Sequence, residues 1–281
     1  SMRAPYTESK YVCSPAASGN INSAFERPTS AIIDLNALTH NYREVIRRAG
    51  DRKVLAVVKA QAYGHGAVPV SRRLVDLGCA MLGVALVEEG RELRDAGIAA
   101  PLLIMGPVFP EQAKEIVRAK LTPSVFTHAM AEALSAAVAG TAHTVAVHVK
   151  VDTGMGRIGI RPDEAVPFVE SIVKLPGIIV EGLMTHFAEA DLKDKAFAAT
   201  QLDRFEAVLK ALEARGVSIP LRHAANSAAV LEYDRALLTM VRPGLMLYGY
   251  NPLESGETAD LRPVLTLVTR IAYIKKVPSG T

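Results

Sequence analysis

The chain has 281 residues, of which 49% are apolar and 22% charged, the composition of a soluble globular protein with ample length for a large buried core. Its formal net charge of +3 is spread along the sequence, without the basic stripe or polybasic tail of a nucleic-acid binder. No stretch has the length and apolarity of a membrane span, the start carries no secretory apolar run, and Cys13 and Cys79 build neither a disulfide framework nor a metal site, so a reduced, cytoplasmic, metal-free protein is expected.

Residues 1–28 are polar and aperiodic and read as a flexible tail. Ala31 to Leu35 reads as a short strand, and Asn36 as the cap of a helix over Ala37 to Arg48. Eight apolar runs then recur: Val54 to Val58, Met81 to Leu86, Leu102 to Met105, Leu121 to Phe126, Thr144 to Val151, Ile178 to Thr185, Leu221 to Ala224 and Leu238 to Val241. Amphipathic segments such as Glu88 to Ala96, Pro110 to Ala119, Asp163 to Lys174 and Thr200 to Arg215 separate them. Short, doubly buried strands alternating with helices imply a parallel sheet. Eight such units fit an α/β chain closed as a (β/α)8 TIM barrel over residues 29–250. An open doubly wound sheet is the alternative, but no GxGxxG follows the first strand. Residues 251–281 read as a linker, rich in Gly, Ser, Glu and Pro, and then a strand within Arg262 to Lys276. A lone strand is not a domain, so the segment is expected to begin an incomplete β-domain and to present an unpaired edge.

Barrel enzymes carry their chemistry at the C-terminal ends of the strands. Lys59 ends the first apolar run, where a buried amine needs a partner or a covalent linkage, such as a Schiff base to an aldehyde cofactor; snorkelling to the rim is the plain reading. The run His148 to Gly159 alternates charge within a strand and then presents Arg157 on a glycine loop, suited to a carboxylate or phenolate oxygen or to an ordinary salt bridge. His186 ends the sixth strand, where a structural hydrogen bond is the commoner role. Ser227 follows strand seven, while Arg242, Gly244 and Leu245 follow strand eight, where barrels often bind phosphate; a helix cap and a glycine turn would look the same. A strand-one lysine, a phosphate cup and two arginines together describe a pyridoxal 5'-phosphate site.

The run Val57-Val58-Lys59-Ala60-Gln61-Ala62-Tyr63-Gly64-His65-Gly66 resembles the cofactor-lysine signature of the alanine racemases, with Gln61 where Asn is more usual. Asp152 to Gly159 and Arg242 to Gly249 resemble further motifs of that family, in the same order. The resemblance implies a pyridoxal-phosphate enzyme that interconverts L- and D-alanine by two-base proton transfer at Cα and so supplies D-alanine for peptidoglycan. It implies Lys59 as cofactor attachment and one base. Tyr63, Asn226, Ser227 and the backbone of Gly244 and Leu245 would sit at the phosphate, Arg242 at the pyridine nitrogen with His186 bonded to it, and Arg157 at the phenolate and substrate carboxylate. Lys150 aligns with a lysine carbamylated in many members, although it can equally stay unmodified. The family's second base is a tyrosine of a C-terminal β-domain that reaches the other subunit of a head-to-tail homodimer. Its motif lies beyond Thr281, so this polypeptide is expected to be impaired. Rival readings are a single-barrel, non-catalytic pyridoxal-phosphate homeostasis protein, a decarboxylase of basic amino acids, which would place a carboxylate where Arg242 stands, and a racemase of broader specificity.

Overall fold

The computed structural model describes residues 10–13, 28–254 and 259–281. Eight of its strands form one parallel sheet: β3 (Lys53–Val57), β4 (Met81–Val84), β5 (Leu102–Ile104), β6 (Thr122–Val125), β7 (Val145–Lys150), β8 (Ile178–Met184), β9 (Leu221–His223) and β10 (Met240–Val241). Their order is β10-β3-β4-β5-β6-β7-β8-β9. The seam is bridged where Thr239 N–H donates to Arg222 O at 3.1 Å and Arg242 N–H to Ala225 O at 2.9 Å. All eight expected strands are present, and the sheet curls into the TIM barrel expected from their number.

Two apolar layers make the closure favourable. Leu55, Val57, Met81, Leu103, Met184, Leu221 and Met240 fill the barrel, while alternate residues such as Val54, Ala56, Leu82 and Val149 pack outward against the helices. This two-sided burial is why the strands read as apolar runs rather than alternating ones. No helix among the described residues is long and apolar enough to cross a membrane.

The chain departs from expectation before and after the barrel. β1 (Lys10–Cys13) falls within the segment expected to be a flexible tail, yet it pairs antiparallel with β2 (Ser30–Asp34). The rest of that segment, residues 1–9 and 14–27, lies outside the described residues. β11 (Leu265–Val268) pairs with the other side of β2, so its strand is shorter than expected and one of its edges is covered. The cap of the helix Leu35–Ala49 is Asp34, which accepts from Asn36 N at 2.9 Å and Ala37 N at 3.2 Å, and not Asn36. Both are cap-type residues, and a carboxylate that satisfies two free N–H groups defines the start.

Asn41 fastens the linker to the barrel. Its buried amide donates to Leu247 O at 3.0 Å and to Arg262 O at 2.8 Å, and accepts from Arg262 N at 2.7 Å. Gly249 lies against the same segment: with φ +89°, a Cβ there would fall 2.1 Å from Arg262 O. An Asn41→Leu substitution removes all three bonds. We expect it to destabilise the fold by about 2–4 kcal/mol, given roughly 1–3 kcal/mol per buried group left unsatisfied, measured by urea unfolding against the unvaried chain.

Candidate active site at the barrel mouth

The C-terminal ends of the strands open into a cavity of about 600 Å³. All ten residues singled out in the sequence line it: Lys59, Tyr63, Lys150, Arg157, His186, Asn226, Ser227, Arg242, Gly244 and Leu245.

Lys59 does not simply terminate a strand. It opens a left-handed turn in which Ala60, Gln61, Ala62 and Tyr63 have φ between 51° and 56°. Left-handed backbone costs an L-residue about 1–2 kcal/mol, so four in succession persist only where other contacts fix them. Here Ala60 N–H donates to Glu89 Oε1 at 2.6 Å, and the same carboxylate accepts from Ala85 N at 2.6 Å through Oε2. Gln61 donates to Glu92 Oε2 at 2.8 Å and accepts from Ala67 N at 3.2 Å. Tyr11 of β1 donates its hydroxyl proton to His65 O. The turn brings Lys59 and Tyr63 to the same cavity.

Opposite this turn, Ser227 Oγ accepts from Gly244 N at 2.8 Å and Met246 N at 3.3 Å. A hydroxyl that accepts twice keeps its own proton to donate. Asn226 caps the short helix Ser227–Glu232 by accepting from Ala229 N at 3.0 Å. At Gly244 a Cβ would stand 2.7 Å from Tyr63 Oη, so only glycine lets the phenol approach this backbone so closely. Together these groups form a concave, donor-rich cradle of the kind that binds a phosphate.

Arg242 is 4% exposed, deep in the cavity wall. Its guanidinium donates to Thr185 O at 2.7 Å, Ala224 O at 3.1 Å, His223 Nδ1 at 3.1 Å and His186 Nδ1 at 3.3 Å. None of these bonds uses Nε–H, which is left available to a ligand. Burial lowers the Arg242 pKa to about 10, so it remains a cation at neutral pH. Burial, and then the positive field of Arg242, take His186 down to about 3, so its imidazole is neutral. Lys150 falls to about 7, through burial first and then through Arg242 and Arg157. Arg157 is exposed at the rim and, among the described residues, makes no ion pair. Four basic side chains thus share a cavity whose one carboxylate lining residue is Asp191, a field that selects anions.

Reasoning from sequence missed the supporting groups. Glu89, Glu92 and Tyr11 hold the Lys59 turn from other elements, and His148, His223 and Thr185 lie behind Arg242. The charge alternation in β7 pointed toward His148, and the run after strand seven began with His223, but neither shows its partner locally.

Residues 33–252 match the family described as "Alanine racemase, N-terminal domain". The alanine racemase of Halothermothrix orenii is 46% identical over 263 residues, which span 93% of this chain and 69% of that protein. That of Methanococcus maripaludis is 40% identical, covering 90% of this chain and 69% of the relative. Among solved structures, the alanine racemase of Clostridium difficile 630 superposes with a TM-score of 0.87 at 35% identity, over 92% of this chain and 68% of that one. The alanine racemase of Bacillus anthracis with bound L-Ala-P gives 0.83 at 34% identity, over 92% and 68%. With a barrel, a lysine turn and a cationic mouth arranged in this way, the chain belongs to the alanine racemase family.

Proposed function

We propose that the cavity binds pyridoxal 5'-phosphate on Lys59 and interconverts the L and D forms of alanine. The observation that carries this reading is the convergence in one cavity of a lysine, a set of hydrogen-bond donors at the closing loops and a buried guanidinium. The substrate follows from the relatives, which are named for alanine, one of them holding L-Ala-P.

The residues fit the cofactor by chemistry and by space. The free proton of Ser227 and the Tyr63 hydroxyl, which Gly244 allows close to the backbone, suit a phosphate; Arg242 supplies an N–H donor for a ring nitrogen; Lys59 supplies the amine. When bound, the cofactor supplies an electron-withdrawing ring that acidifies the Cα proton of the amino acid attached to it. Lys59 Nζ takes and returns that proton on one face. Arg242 donates to the ring nitrogen without giving up its proton, because its pKa stays near 10. By keeping its proton, Arg242 would leave the ring nitrogen unprotonated, which would limit charge withdrawal and disfavour transamination. Arg157, free at the rim, pairs with the substrate carboxylate, and neutral His186 accepts from Arg242. The opposite face needs a second proton-transfer group. On the family pattern we assign it to a tyrosine brought by a head-to-tail partner.

We further infer that Lys150 is carbamylated. Its amine is largely neutral above pH 7, hence nucleophilic toward carbon dioxide, and the resulting anion would stand beside Arg157 and Arg242. The same shift has a consequence for stability. Lys150 binds a proton less readily when folded than when unfolded, so it contributes a destabilisation that is full below about pH 7 and is relieved as pH rises toward its usual value of 10.5.

Three measurements test this reading. Borohydride reduction of the protein loaded with pyridoxal phosphate, followed by peptide mapping, should label Lys59, and a label elsewhere refutes the attachment. A Gly244→Val variant should bind the cofactor at least about tenfold more weakly by fluorescence titration, since its side chain fills the cradle. Protein equilibrated with 13C-bicarbonate should show a carbamate carbon resonance that fades below about pH 7 and is absent in Lys150→Ala; the same signal in that variant would remove Lys150 from the assignment.

A further inference from the structure

Behind Arg242 lies a row of buried polar groups to which the proposed reaction gives no part. His223 Nδ1 is 3.1 Å from Arg242 Nη1, His223 Nε2 is 2.8 Å from His148 Nδ1, and His148 Nε2 is 3.4 Å from Glu181 Oε2. Both imidazoles are fully buried, whereas the Glu181 side chain is 35% exposed.

The two ends of the row fix every proton in it. Arginine only donates, so His223 Nδ1 must accept, and the ring proton must sit on Nε2. That proton leaves His148 Nδ1 as an acceptor and puts the His148 proton on Nε2, facing a carboxylate that only accepts. The bonds therefore run one way, from guanidinium to carboxylate through two neutral rings. Burial holds both histidines below their usual range, in agreement with neutrality.

The backbone is shaped to allow this row. Between β7 and β8, Val147 faces Val180 and His148 faces Gly182, leaving Glu181 as the extra residue of a bulge. Bulges re-aim side chains, and this one brings Glu181 to His148. At Gly182, a Cβ would fall 2.5 Å from His148 Nδ1, so only glycine leaves room for the ring. Lys53, at the start of β3, is a cation whose field also favours the Glu181 carboxylate.

We propose that Glu181 and His148 are positioning residues: through His223 they form a one-way hydrogen-bond relay that holds the Arg242 guanidinium in place and joins its buried charge to a carboxylate outside the cavity. The effect on the cofactor rests on the reading of Arg242 given above, but the relay itself does not.

The test begins without cofactor. The full chain, labelled with 15N-histidine and assigned through single variants, is examined by long-range proton–nitrogen correlation. Both His148 and His223 should carry their proton on Nε2; a proton on Nδ1 of His223, or a doubly protonated ring, overturns the relay. Glu181→Gln keeps an acceptor oxygen but removes its charge, so both Nε2–H protons should move upfield together. Movement at His148 alone would mean that Glu181 serves only its neighbour and would refute the proposal. In the loaded protein, Glu181→Gln should weaken pyridoxal phosphate binding about fivefold, the loss expected for weakening one charge-assisted bond. Unchanged affinity would refute action on the site. If the unvaried chain binds no pyridoxal phosphate, the functional reading fails, while the nitrogen spectra still decide the relay.

Discussion

The mouth of this barrel is organised by positive charge that the protein does not neutralise. Lys59, Lys150, Arg157 and Arg242 share one cavity, and the deepest of them, Arg242, touches carbonyls and neutral imidazoles rather than a carboxylate. Two of them, Lys150 and Arg242, are buried, and like charges close together out of water are costly. The neighbouring groups respond accordingly: His186 stays neutral and Lys150 loses much of its charge. A bound anion, or an anion made on Lys150, removes the conflict. The same feature thus explains the pKa pattern and would favour an anionic ligand at this mouth.

The backbone contributes a second unfavourable element, the left-handed turn after Lys59. Its four residues carry side chains, so the conformation is imposed from outside, by Glu89, Glu92 and the β1 tyrosine. Strain of this kind is common where a functional group must be presented at a fixed angle. The clamp comes from two separate parts of the chain, the helix Val87–Asp95 and β1, so the position of the lysine depends on elements far from it in sequence.

Much of this was legible in the sequence, for a physical reason. Doubly buried strands appear as uninterrupted aliphatic runs, and the residues that end them stand out by polarity, as Lys59, His186 and Arg242 do. What was not legible depends on contacts distant in sequence. Ala60 to Tyr63 give no local sign of positive φ, since none is glycine. Glu181 is one acidic residue in a strand until the register with β7 shows it as a bulge. The alternation after Arg262 announced a strand but not its partner, and Lys10–Cys13 are too few and too mixed to stand out from the polar segment around them.

The small sheet beside the barrel has a further consequence. β2 opens the barrel portion of the chain, yet the strands flanking it come from opposite ends of the described sequence, with Leu265 set across from Ile33. A contact spanning nearly the entire polypeptide carries a large loop-closure entropy and forms late. On a ribosome, β2 would wait with an empty flank until the whole barrel and then β11 had emerged. The strand that follows the barrel thus acts as a clasp on the one that precedes it, and removing it would leave β2 half-dressed.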